Sequence, residues 1–155
     1  MRLLIISILF ISNALHADVP QTIDNYLNDN PKWLTDPPSQ NFLSARCGIL
    51  NLVANQRLVE QKDAESQKLA KGYADVADMF FMFADFSKDI ANISDDAYKE
   101  RLQEWTKIYG EEVLKNWKQY NNAMHGDVGS DLMTCNKTIL PAIQSYVDLM
   151  IKQLQ

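Results

Sequence analysis

From Ser39 to the C-terminus, apolar side chains return every third or fourth residue, the spacing that puts one continuous stripe on a helix. Four such stripes follow one another. The first holds Leu43, Cys47, Leu50, Ala54 and Leu58, widened by Phe42, Ile49 and Val53, and the second holds Leu69, Tyr73, Val76, Phe80, Phe83 and Ile90. The third, Tyr98, Leu102, Trp105, Tyr109, Val113, Trp117, Tyr120 and Met124, keeps its rhythm for about 27 residues, or roughly 40 Å of helix. The fourth comprises Leu132, Cys135, Ile139, Ile143, Tyr146, Val147, Met150 and Leu154. No strand-like alternation lasts more than a few residues, so the chain is expected to be all-α, a small bundle of three to four long amphipathic helices.

Local signals divide these stripes. Pro37 and Pro38 exclude helix before Ser39, which reads as an N-cap, and Asp63 caps the next helix after the polar stretch Gln61 to Lys68, unless one helix runs through it. Asn92 to Asp96 offers a break and a new cap, and His125-Gly126 is expected to stop the third helix. The last helix starts at Asp127 or Ser130, with a bend at Pro141. Ahead of the bundle domain (39–155), residues 18–38 make a short helix containing Ile23, Tyr26 and Leu27, and then a Pro-rich linker whose Trp33 and Leu34 are placed to plug one end.

The first 17 residues have a different character. Arg2, the nine apolar residues Leu3 to Ile11, and then Ser12 to Ala17 have the organisation of a secretory signal peptide, about half the length needed to span a bilayer. Cleavage after Ala17 is favoured, with Ala14 as the alternative, and the product is periplasmic or secreted with no stable membrane span. An oxidising compartment and an even cysteine count point to one Cys47–Cys135 disulfide, against which stands a pair of buried free thiols. Closing so long a loop is worth roughly 4–5 kcal/mol in the chain-entropy picture. Depth along the helices raises a conflict. With Cys47 eight residues into the first helix and Cys135 five to eight into the last, the two meet easily only if those helices run parallel, which favours three helices or a crossover connection over simple up-down-up-down order.

Charge and motif content narrow the function. Losing Arg2 with the leader takes the 15 basic side chains to 14 against 20 acidic ones, a net charge of −6 that makes nucleic acid an improbable partner and a basic protein a suitable one. No cofactor motif is present: CxxC, CxxCH, HExxH and phosphate-binding glycine loops are all missing. His125 is the one imidazole left after processing, and with Asp127 and Asp131 it makes a weak candidate metal site, although a histidine at a helix C-terminus ordinarily caps carbonyls. The carboxylate pairs Asp75/Asp78 and Glu111/Glu112 read as exposed, and no catalytic constellation emerges; an enzyme is not expected. The remaining cluster is Met79-Phe80-Phe81-Met82-Phe83 with Phe86. Asp75, Asp78, Asp85 and Asp89 share one helix face with Met82 among them, so Asp78, Phe81, Met82, Asp85 and Phe86 are the candidate partner-binding surface, the alternative being a wide core stripe covered by the N-terminal segment.

Ser44-Ala45-Arg46-Cys47 in an early helix, the Met/Phe-rich middle helix, and Asp131-Leu132-Met133-Thr134-Cys135 opening the last helix together resemble the periplasmic immunity proteins that neutralise type VI secretion amidase effectors. The likeness covers Ser39 to Gln155 as a pattern, and Asp18 to Pro38 departs from it. It implies a small, disulfide-stapled helical inhibitor that blocks a peptidoglycan hydrolase and performs no chemistry itself. The export signal makes the first prediction: N-terminal sequencing of the protein expressed in a Gram-negative host is expected to begin at Asp18 or Leu15. A chain that still begins at Met1 and needs detergent for extraction would identify the segment as an anchor.

Overall fold

Asp36 starts the first long helix. Its carboxylate accepts a hydrogen bond from the Ser39 amide (3.1 Å), and Pro37 and Pro38 occupy the first turn, where their missing N–H groups would have had no helical partner in any case. Ser39 is therefore inside the helix rather than its cap, and the prolines open it instead of excluding it. The computed structural model describes residues 21–154; the leader read at 1–17 and its cleavage positions lie outside the described residues. Among the described residues there is no strand, and no helix is long and apolar enough to cross a membrane.

The helices are α1 (Ile23–Asp29), α2 (Pro37–Val59), α3 (Ala64–Ile90), α4 (Asp95–Tyr120), α5 (Asp127–Thr134) and α6 (Leu140–Leu154), with a 3-10 turn at Trp33–Thr35 and a π-helical turn at Cys135–Ile139 joining α5 to α6. Asp63 caps α3 as expected, and Ser94, within the break expected at Asn92 to Asp96, caps α4, each through its side chain. The third stripe ends earlier than expected: Asn121 takes the left-handed conformation (φ 51°) and stops α4 at Tyr120, before His125-Gly126 is reached. Pro141 does not simply bend the last helix. It has no N–H and its ring crowds the preceding turn, and just ahead of it the backbone widens so that the Leu140 amide bonds to the Cys135 carbonyl.

Side-chain pairings set the directions. Asn41 donates to the Ala84 carbonyl and Asn55 to that of Ala70, so α2 and α3 are antiparallel. Arg101 with Asn41 and Arg46 with Tyr109 make α4 parallel to α2, while Met79 with Gln144 and Phe83 with Tyr146 make α6 parallel to α3. The order is thus up-down-up-down, with α2 in the middle. Gly48 lets α3 approach closely, because a Cβ there would lie 2.6 Å from the Phe81 ring. The N-terminal lead joins the same core: Ile23 is fully buried, Tyr26 stacks on Phe42, and Trp33 and Leu34 pack at the margin.

The disulfide forms within this order, with Cα atoms 5.5 Å apart and both cysteines fully buried. The expected conflict disappears because α2 starts at Pro37 and runs 23 residues, which puts Cys47 at its midpoint rather than near one end. A cysteine at the midpoint of α2 can be reached from the α5 end of the last helical stretch without a crossover. Since the bridge closes an 88-residue separation, replacing both cysteines by alanine is expected to lower stability by roughly 4–5 kcal/mol in urea titration. Ready labelling of native thiols by a maleimide would contradict the pairing.

Candidate functional site

The second and fourth stripes carry more apolar surface than the core takes up. α3 turns Met79, Phe83 and Phe86 toward α6, and α6 answers with Leu140, Ile143 and Val147, leaving an open groove of about 490 Å³ that Met82 and Ile151 also line. Met82 is 73% exposed and Phe86 46%, while Phe80 and Ile143 form a buried floor. Phe83 packs edge-on to Tyr146 with ring centroids 6.5 Å apart, and the Gln144 amide approaches the Met79 sulfur at 3.9 Å. Asp148 is the one charged side chain among the lining residues.

The expected partner-binding surface is divided by this geometry. Met82 and Phe86 line the groove. Phe81 is half-buried on the opposite side of α3, against Gly48 of α2, so it belongs to a helix–helix contact and is not available to a partner. Asp85 lies toward α4, where burial, with its charge assisting, pushes the Tyr98 phenol up to about 12. Asp78 is exposed on the acidic face beyond Met82. Met79 and the α6 residues were missed as site residues, Met79 because it adjoins the core stripe and Val147 because it reads as core. The signal for them was present in the width of the last helix, where Leu140, Ile143, Val147, Leu149 and Ile151 exceed a single stripe.

His125, Asp127 and Asp131 do line one polar cleft of about 380 Å³ between α4 and α5. They do not converge as ligands, and among the described residues no three His, Cys, Asp or Glu side chains do. His125 stacks on Tyr120 (3.9 Å between centroids). Asp131 is committed elsewhere: Oδ1 accepts from the Ile23 amide (2.7 Å), and Oδ2 accepts from Arg46 Nη2 (2.6 Å) and from the Tyr109 hydroxyl (2.9 Å). The Arg46 guanidinium already neutralises the Asp131 carboxylate, so the expected trio of His125, Asp127 and Asp131 is not assembled as a metal site.

Arg46 is the centre of that network. Only 2% exposed, it donates Nη1 to the Gln21 carbonyl (2.7 Å) and Nε to the Tyr109 hydroxyl, and its guanidinium lies 4.5 Å from the Trp105 ring centroid. Burial raises the Tyr109 phenol above its ordinary value, which keeps it a proton donor to Asp131 at physiological pH. Arg46 and Asp131 thus each find their partners within the fold.

No family model matches this chain, and no curated protein or solved structure matches it either. The buried network predicts that Asp131→Ala, which leaves the Arg46 charge without its counter-ion, is expected to cost roughly 3–5 kcal/mol in denaturant unfolding. A loss below about 1 kcal/mol would mean that water reaches the guanidinium and that the pair contributes no more than a surface one.

Proposed function

We propose that this chain is an exported, periplasmic protein that acts by binding another protein through the Met/Phe surface of α3, without chemistry of its own. One observation carries the reading: Met79, Met82, Phe86, Val147 and Ile151 all stand exposed around a single groove. Contiguous apolar surface on an otherwise acidic protein is unfavourable in water and is retained where a partner covers it. Methionine suits such a surface because its flexible, polarisable side chain adapts to the partner's shape. The disulfide supports an oxidising compartment, and the net charge of −6 after loss of the leader supports a basic partner whose approach is accelerated at low ionic strength.

The narrower reading, an inhibitor of an envelope hydrolase such as a peptidoglycan amidase, rests on the resemblance of the Ser44-to-Cys47 and Asp131-to-Cys135 segments alone.

Affinity capture from a periplasmic extract tests the reading. Immobilised wild-type protein is expected to retain a partner that Met82→Ser/Phe86→Ser loses, with the thermal midpoint of the variant within a few degrees of wild type because both side chains are solvent-facing. Identical retention by both proteins would remove the groove from the function, and a retained hydrolase whose activity falls on binding would select the narrower reading.

A further inference from the structure

The binding reading leaves the chemistry of the partner open, and the groove itself constrains it. We infer that the α3/α6 groove receives a basic amphipathic helix: a partner segment with large apolar side chains along one face and lysines or arginines on both flanks. This inference rests on the protein-binding reading and gives it a ligand class.

Shape argues for a helix. The groove runs between two helices of the same direction, from Leu140 to Ile151 on α6, which is about 16 Å or three helical turns. Among the described residues no strand exists, so no sheet edge is available for an extended peptide to join by main-chain hydrogen bonds. The walls offer Met, Ile, Val and Phe side chains and almost no hydrogen-bonding groups, so an occupant must satisfy its own backbone, as a helix does.

Charge argues for basic flanks. On the α3 side, Asp78 and Asp89 are exposed along the helix face that adjoins Met82, with Asp75 one turn earlier paired to Lys71 (2.7 Å), and on the α6 side Asp148 lies at the lip. Among the described residues no cation lines the groove. Lysines on either flank of an entering helix would meet carboxylates on both rims. The same pattern disfavours the competing occupants. A second copy docking groove to groove would set Asp148 and the acidic face of α3 against their own copies, and a fatty acid or phospholipid would bring a like-charged head group to the rim.

The test uses the mature, disulfide-bonded protein and a synthetic peptide of about 18 residues, with leucines at helical spacing on one face and lysines flanking them, beside the same peptide with glutamates in place of the lysines. Backbone amide shifts are expected to map the lysine peptide onto Met79 to Phe86 and Leu140 to Ile151, with affinity at least about tenfold above that of the glutamate peptide and falling as salt rises past about 0.15 M. Asp75→Lys/Asp148→Lys, two exposed positions, is expected to reverse that preference while leaving the thermal midpoint in place.

Three results would overturn the inference: no shifts in the groove with the lysine peptide, equal binding of both peptides, or concentration-dependent groove shifts of the protein alone, which would identify a second copy as the occupant. Failure here, with Met82→Ser/Phe86→Ser still abolishing capture from extract, would reject the basic helix and leave the binding reading standing. Failure of both would reject the groove.

Discussion

A positive charge held almost out of water is the constraint around which this bundle is arranged. Arg46 sits at the middle of α2, and its guanidinium must find partners in every direction or the helix cannot be buried. Those partners are four residues from three places: the Gln21 carbonyl just before α1, Trp105 and Tyr109 on α4, and Asp131 on α5. Each of these elements is thereby given a position relative to α2. Replacing such a network by apolar side chains often leaves stability unchanged or raises it, so its value here lies in specifying which helix faces which rather than in the energy of the ion pair.

The other polar groups of α2 work in the same way. Asn41 bonds to both Ala84 and Arg101, and Asn51 exchanges hydrogen bonds with Asn136 at the π-helical turn, next to the disulfide. A helix surrounded on all sides uses directional bonds to fix its neighbours, because an apolar surface alone would let them slide and rotate. Among the described residues α3 and α6 share no such network: they meet through Phe83 and Tyr146, Met79 and Gln144, and the groove floor. Apolar surface left over from the packing collects there, so the candidate site lies where the specification by α2 ends.

Much of the architecture is legible in the residue order. The four stripes, the caps Asp63 and Ser94, the inward placement of both cysteines and the short helix at Ile23 to Leu27 all follow from local periodicity and side-chain chemistry. The start of α2 was obscured because paired prolines act oppositely in the first turn and in the interior, and the choice depends on whether a capping carboxylate precedes them, as Asp36 does. Those two residues of displacement, and the full length of α2, put Cys47 at its midpoint. Between Ser39 and Ala54 the sole charged residue is Arg46, which signals a helix buried all round more strongly than its stripe does. The candidate groove was half legible: the excess of Met82 and Phe86 showed on the wheel, whereas the turn of Phe81 toward Gly48 required the close approach of two helices that only the tertiary structure contains.

The bond from the Ile23 amide to Asp131 joins residues 108 apart, near the two ends of the described chain. Synthesis delivers the N-terminal end first, so α1, α2 and the Arg46 charge leave the ribosome well before their carboxylate does. Until Asp131 arrives, Arg46 has no counter-ion and the center of α2 cannot become dry; until Cys135 arrives four residues later, Cys47 has no native thiol to meet. The chain therefore has no self-sufficient N-terminal half. Its core closes from both ends together, and a molecule truncated anywhere before Asp131 is left with an unpaired cation and an unpaired thiol at its centre.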